Sequence, residues 1–298
     1  PPLPHPQHFP LNSFVSGFLR TVSQKSRRNG VLKFRWAATC NTHPMTQRTI
    51  LITGAGSGFG KGAAIELASR GHSVVATTET QEQADALAAE HPELTTVKLD
   101  VTSSDDIAQA AGLEIDVLIN NAGMGVMAPM ATVPMDKVRA SFDVNVFGMV
   151  ELTQAAVPGM MERGFGRIIN VSSVAGKLAS PLTSPYCMTK HAVEAFTISL
   201  RGELAPHGID VCKINPGPYN TGFNDRMVDG ITEHIAAGDE ATFAANQMVR
   251  DIVLTDQLDP TDVVTALANL VEADETPLET LLPEGIGELL QAMIDAQA

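Results

Sequence analysis

The chain has 298 residues, 44% of them hydrophobic and 5% aromatic, enough to bury one large core or two modest ones. No apolar run approaches the roughly 20 residues that span a bilayer, so a soluble protein is expected. The formal charge of −14 hides an asymmetry, because the body from Met45 onward holds 14 basic against 34 acidic residues. So acidic a body repels nucleic acid and anionic membrane, and neither is an expected partner.

Residues 1–44 open with Pro1-Pro-Leu-Pro and Pro6, then carry Arg20, Lys25, Arg27, Arg28, Lys33 and Arg35 without a sustained hydrophobic period. Three origins fit: a leader ahead of a natural start at Met45, an organelle transit peptide, or a functional basic tail. Disorder is the expectation for all three. Residues 45–298 are read as one domain, cytoplasmic unless the leader is a transit signal. Cys40, Cys187 and Cys212 are odd in number and lack metal-type spacing. They read as unreactive thiols in a reducing compartment, and no metal site is expected.

From Met45 the chain alternates strand and helix. Strand-like runs occur at Thr49–Thr53, Ser73–Thr78, Thr95–Leu99, Asp116–Asn121, Arg167–Val171 and Asp210–Ile214. Helical periodicity fills Gly60–Arg70, Gln81–Glu90, Met135–Met161 and Pro185–Ala205. Short apolar runs separated by helices predict an α/β fold, a parallel sheet of about seven strands covered on both faces. Thr102–Leu113 is short for a helix between the third and fourth strands. Residues 218–258 are too long for an ordinary loop and are expected to form a helical lid. Leu278–Leu282 reads as a last strand and Glu284–Ala298 as a closing helix.

Gly54-Ala-Gly-Ser-Gly58-Phe-Gly60 follows the first strand and opens the first helix, the context in which such a loop cradles phosphates. Gly54 suits the tight turn, Gly58 the approach of backbone to a pyrophosphate, and Gly60 close helix–sheet packing. The helix N-terminus adds free N–H groups and positive potential. Tyr186 and Lys190 lie four apart in a helical stretch and share a face. The ammonium is expected to favour the phenolate and lower the phenol's pKa, which suits acid/base work. Ser173 follows a strand 13 residues earlier, where it can hydrogen-bond a substrate oxygen. Taken singly, the pair reads as a surface contact and the serine as a strand-end hydroxyl; together with the loop they read as a catalytic site.

Thr53-Gly54-x-x-x-Gly58-x-Gly60, Asn120-Asn-Ala-Gly123, Phe142-Asp-Val-Asn145, Ile169-Asn-Val-Ser-Ser173, Tyr186-x-x-x-Lys190 and Asn215-Pro-Gly217 stand in an order that resembles the short-chain dehydrogenase/reductase family. The resemblance runs from Arg48 to Leu282 and is closest to the hydroxysteroid and retinol dehydrogenase branch. It implies a Rossmann-type doubly wound sheet and a catalytic set of Asn145, Ser173, Tyr186 and Lys190. Asn145 would hold a proton-relaying water, and Lys190 would also bind the nicotinamide ribose. It implies a dinucleotide lying against Gly54, Ser57, Gly58, Phe59, Gly60, Thr78, Glu79, Asp100, Val101, Asn121, Ala122, Gly123, Tyr186, Lys190, Pro216, Gly217, Tyr219 and Thr221. Glu79 would repel a 2′-phosphate, so NAD is expected, with NADP as the alternative; Thr78 stands where NAD-preferring relatives carry Asp.

Met124, Met127, Val174, Leu182, Tyr219 and Phe223 are the expected substrate pocket, which points to a ketone or secondary alcohol with an apolar body. By the same resemblance, Met135–Met161 and Pro185–Ala205 would form the contact of a homodimer or homotetramer. Competing readings are an NADPH-dependent carbonyl reductase, a dinucleotide-binding regulatory module without turnover, and a halohydrin lyase. Retention of Asn145, Ser173, Tyr186 and Lys190 argues against the module, and the intact glycine loop against the lyase.

Overall fold

Runs rich in Val, Ile and Leu pair side by side in the computed structural model, which describes residues 47–296 apart from 111, 230–233 and 236–238. The expectations for residues 1–44, Cys40 included, and for part of the 218–258 stretch lie outside the described residues. The strands are β1 (Thr49–Ile52), β2 (Ser73–Thr78), β3 (Thr95–Lys98), β4 (Val117–Asn120), β5 (Gly166–Val171), β6 (Ile209–Pro216) and β7 (Glu279–Leu282). They form one sheet in the order β3-β2-β1-β4-β5-β6-β7, with every neighbouring pair parallel. This is the doubly wound Rossmann-type arrangement expected from the alternation of strand and helix.

The helices are α1 (Gly58–Ser69), α2 (Gln81–Glu90), α3 (Ser104–Ala110), α4 (Met135–Phe142), α5 (Met149–Arg163), α6 (Ser184–Leu204), α7 (Phe223–Asp229), α8 (Glu240–Leu254), α9 (Thr261–Glu272) and α10 (Ile286–Asp295). Side chains alternate across each strand, so both sheet faces are apolar. Ile50, Ile52, Val74 and Ile119 pack with Ala63, Leu67, Val263 and Leu267 of α1 and α9. Leu51, Val75, Leu118 and Ile168 point the other way, onto Ile107, Leu152, Ala156 and Met160 of α3 and α5. Full burial of each such Leu or Ile contributes about 1.5–3 kcal/mol, so the two layers are held by symmetric apolar faces.

The expected single helix over Met135–Met161 is divided. A π-helical segment, Asp143–Gly148, separates α4 from α5. Such segments widen the turn and displace side chains from the 3.6-residue stripe, and here Asn145 lies within it. The short stretch before β4 still forms a helix, of 7 residues in α3. The lid expectation gains two helices, α7 and α8. Met227, Val228 and Val249 from these pack with Met127, Leu182 and Tyr186. Among the described residues no helix is long and apolar enough to cross a membrane.

Candidate active site

The strand order reverses between β1 and β4, so the loops leaving their carboxyl ends diverge and open a crevice. Two loops of the crevice are stitched together. The Thr53 Oγ1 accepts from the amides of Asn121 at 3.0 Å and Ala122 at 2.9 Å. The Asn121 Nδ2 donates back to the carbonyls of Thr53 at 2.8 Å and Gly54 at 3.2 Å. Gly54 takes a φ of +66°, and a Cβ there would come within 2.9 Å of the Ala122 Cα. At Gly60 a Cβ would stand 2.5 Å from the Gly54 carbonyl oxygen, so no larger residue fits beneath the turn.

One cavity of about 1580 Å³ runs over this crevice. It exceeds the roughly 300–1,000 Å³ of a site for one small ligand. Its wall includes Gly54, Ser57, Gly58, Phe59, Thr78, Glu79, Asp100, Val101, Asn121, Ala122, Gly123, Pro216, Gly217, Tyr219 and Thr221. The same wall holds Ser173, Tyr186 and Lys190, with Met124, Met127, Val174 and Phe223. Gly60 lies below the loop and Asn145 behind the wall.

Leu182, expected in the substrate pocket, is not part of the wall. Its left-handed backbone, φ +69°, turns it into the apolar cluster beneath the lid helices, and its carbonyl accepts from the Ala128 amide at 2.9 Å. Tyr219 reaches the wall but is only 1% exposed. Its hydroxyl donates to Asp262 Oδ2 at 2.7 Å and its ring packs edge-on to Phe59.

Helix α6 delivers the reactive side chains. Pro185 in its first turn preorganises the helix start. Tyr186, Lys190, Val193, Glu194 and Thr197 then recur at helical spacing on the buried face. Ser173 and Tyr186 face the same cavity, and the Ser173 hydroxyl donates to the Pro216 carbonyl at 3.4 Å. Ser173 also accepts from the Ala175 amide at 3.1 Å, capping a short 3₁₀ turn. Lys190 Nζ donates to the Val171 carbonyl at 2.8 Å and stands 5.7 Å from the centre of the Tyr186 ring. Asn145 grips the loop after β4, accepting from the Met124 amide and donating to its carbonyl, both at 2.8 Å. Its Nδ2 also donates to Thr189 Oγ1 of α6 at 3.0 Å.

Burial dominates the electrostatics. It raises the Tyr186 pKa above the ordinary phenol value, with the Ser173 hydroxyl acting in the opposite direction. Burial therefore outweighs the lowering expected from Lys190, whose ammonium donates to the Val171 carbonyl. Burial also lowers the Lys190 pKa to about 8, opposed by the charge of Glu194. Of the two adjacent serines, Ser173 acts on the Tyr186 phenol, lowering its pKa, whereas Ser172 donates to Glu194 Oε1 at 2.5 Å.

The end of β2 forms one corner of the cavity. Thr80 caps α2, and Gln83 returns a bond to the Thr80 amide, fixing the preceding two residues. Thr78 is buried and its hydroxyl donates to the Thr80 carbonyl, while Glu79 is exposed on the cavity wall. Acidic side chains in the wall are Glu79, Asp100, Asp143 and Glu151, against Lys190 and Arg226 as cations.

Sequence reasoning overlooked Thr53, Thr189, Glu194, Lys213 and Asn215 as supporting groups. Thr53 and Asn215 stood inside the quoted motifs with no role assigned, and Glu194 lies one helical turn beyond Lys190.

Known proteins place the chain. The family profile described as short chain dehydrogenase matches residues 48–231. Human retinol dehydrogenase 8 is 32% identical over 250 residues, covering 78% of this chain and 80% of that protein. Human 17-beta-hydroxysteroid dehydrogenase type 1 is 36% identical over 213 residues, covering 67% and 65%. A short-chain dehydrogenase from Streptomyces avermitilis superposes with a TM-score of 0.74 at 29% identity, covering 85% of this chain and 94% of its own. A Burkholderia phymatum relative in complex with NAD gives 0.70 at 26% identity, covering 86% and 96%. A Burkholderia cenocepacia relative in complex with NADP gives 0.66 at 26% identity, covering 84% and 94%. With its glycine loop, its Tyr186–Lys190 pair and this match over most of the folded body, the chain belongs to the short-chain dehydrogenase family of oxidoreductases.

Proposed function

We propose that the chain uses NAD, with NADP as the alternative, to interconvert a secondary alcohol and a ketone that carries an apolar body. The observation that carries this reading is the gathering of Ser173, Tyr186 and Lys190 on the wall of the same cavity as the glycine loop. A dinucleotide fits the residues present: Gly58 takes a φ of +55° on the cavity wall, and a Cβ there would stand 3.1 Å from Thr221 on the same wall. The cavity also exceeds what one small ligand requires. Relatives of known structure bind NAD or NADP.

The bound nicotinamide supplies or accepts the hydride. In ketone reduction Tyr186 gives its phenolic proton to the substrate oxygen, and in alcohol oxidation it takes that proton back. Ser173 donates a hydrogen bond to the same oxygen as charge develops there. Lys190, buried and adjacent, favours the phenolate once the proton has left. Asn145 holds the Met124 loop against α6 and keeps the relay side of the site in place. Glu79 at the ribose end disfavours a 2′-phosphate.

Met124, Met127, Val174 and Phe223 line the substrate end with apolar surface, which supports an apolar body. The exposed Phe147, Met188 and Ile198, at 59%, 38% and 53%, lie on the π segment and α6. They support a homodimer through these helices, and a monomeric mass in solution would refute it. The compartment proposed is the cytoplasm. The function is tested by fluorescence titration with NADH and NADPH, followed by turnover of a panel of aryl alkyl ketones. Binding without reduction of any member would favour the regulatory-module reading.

A further inference from the structure

Behind the cavity wall lies a polar cluster that the proposed chemistry does not use. Glu194, 7% exposed, accepts at Oε1 from Ser172 Oγ at 2.5 Å and Asn215 Nδ2 at 2.7 Å. Its Oε2 faces Lys213 Nζ at 2.6 Å and Lys177 Nζ at 3.3 Å. Lys213 is 1% exposed, with Glu279 of β7 at 3.6 Å as its other carboxylate; Lys177 also pairs with Glu279. The same Asn215 Nδ2 donates to the Ser173 carbonyl at 2.9 Å. One amide group therefore bridges the carboxylate to the backbone of Ser173, which shares the cavity wall with Tyr186. The 3₁₀ turn after Ser173 rests on this cluster, since a Cβ at Gly176 would stand 2.9 Å from Glu194 Cγ and 3.0 Å from Ser172 Oγ.

A buried ion pair is a poor device for stability alone, because well-packed apolar side chains of similar volume often serve as well or better. This cluster instead spends each acceptor site on groups that fix the end of β5. We propose that Glu194 is a positioning residue of the active site: through Asn215 and Ser172 its carboxylate sets the turn that presents the Ser173 hydroxyl to Tyr186. The inference rests on the catalytic reading given above.

The test uses the full chain, the dinucleotide that binds more tightly, and the best ketone of the panel. The double variant Glu194→Leu/Lys213→Met removes the acceptor without orphaning a buried ammonium. It is expected to lower kcat by about 10- to 100-fold, the scale of a small displacement in a preorganised site, with dinucleotide Kd within about twofold. Glu194→Gln/Lys213→Met keeps a carbonyl oxygen for Ser172 and Asn215 and is expected to regain kcat to within about threefold of wild type. If the Leu/Met variant does not fold, Asn215→Ala cuts the relay while leaving the Glu194–Lys213 pair, with the same expected loss of kcat. Wild-type kcat in a variant lacking the relay overturns the proposal. So does equal loss of kcat, dinucleotide affinity and Tm in both double variants, which is a merely structural role. Tyr186→Phe in parallel separates the two readings: if it keeps normal turnover, the catalytic reading fails and takes this inference with it. If it is inactive while the relay variants are not, only the role of Glu194 fails.

Discussion

Lys190 ends on the carbonyl of Val171, 2.8 Å away, while the centre of the Tyr186 ring lies 5.7 Å from its nitrogen. The ammonium is thus anchored to the end of β5, the strand that leads into Ser172 and Ser173, and burial lowers its pKa to about 8. In ketone reduction a protonated lysine supports loss of the phenolic proton. The reduction rate is therefore expected to be flat below about pH 8 and to fall above it as Lys190 loses its charge. A pH profile of kcat with a saturating ketone checks this, and a rate that climbs through that range contradicts it.

The same burial has a consequence for stability. The unfolded lysine binds its proton up to about pH 10.4, the folded one only to about 8, so the unfolded state holds more protons between these values. By linkage, this group's contribution to stability rises with pH across that window, and its penalty is full below it. Lys190→Met is expected to abolish turnover while raising Tm at pH 7, the removed penalty being on the order of 3 kcal/mol. Calorimetry of both proteins at pH 7 and above pH 10 measures it, and a Tm gain that does not shrink at high pH would contradict the assignment.

Tyr186→Phe removes the proton that ketone reduction requires and keeps the ring that packs 5.8 Å from Phe223. Turnover is expected to fall by about 10²–10⁴-fold, with little change in NADH affinity. Single-turnover kinetics beside a fluorescence titration separates the two effects.

Glu79 is exposed on the cavity wall at the end of β2, beside the buried Thr78. NADH is expected to bind more tightly than NADPH. Glu79→Arg should shift the ratio of the two dissociation constants toward NADPH by at least about tenfold, or about 1.4 kcal/mol. An unchanged ratio in the titration would remove Glu79 as the discriminator.

Thr53 holds the Asn121 and Ala122 amides with one hydroxyl oxygen and is 2% exposed. Thr53→Val keeps the shape and leaves both amides without that acceptor. A loss of about 1–3 kcal/mol in urea unfolding is expected, with weaker dinucleotide binding because both loops of the crevice loosen together.

Much of this site was legible along the chain because its signals are local. Glycines at Gly54, Gly58 and Gly60 mark a turn that tolerates no side chain, and the four-residue interval from Tyr186 to Lys190 places both on one helical face. Continuous apolar runs in β1 and β4 likewise announced strands buried on both sides. The sequence by itself therefore determined the order of elements, the glycine turn between β1 and α1, and the placing of Tyr186 and Lys190 on one helical face. Tertiary structure alone decided the rest. It placed Asn145 in a π segment that helical periodicity does not reveal, and it turned Leu182 away from the cavity through a left-handed backbone. It raised the Tyr186 pKa where proximity to Lys190 promised the reverse, and it bound Ser172 to Glu194 while the Ser173 hydroxyl donates to the Pro216 carbonyl. The physical reason is the same in each case. Burial and hydrogen-bond partners come from strands and helices distant in the chain, so the balance between desolvation and pairing exists only once the sheet has assembled.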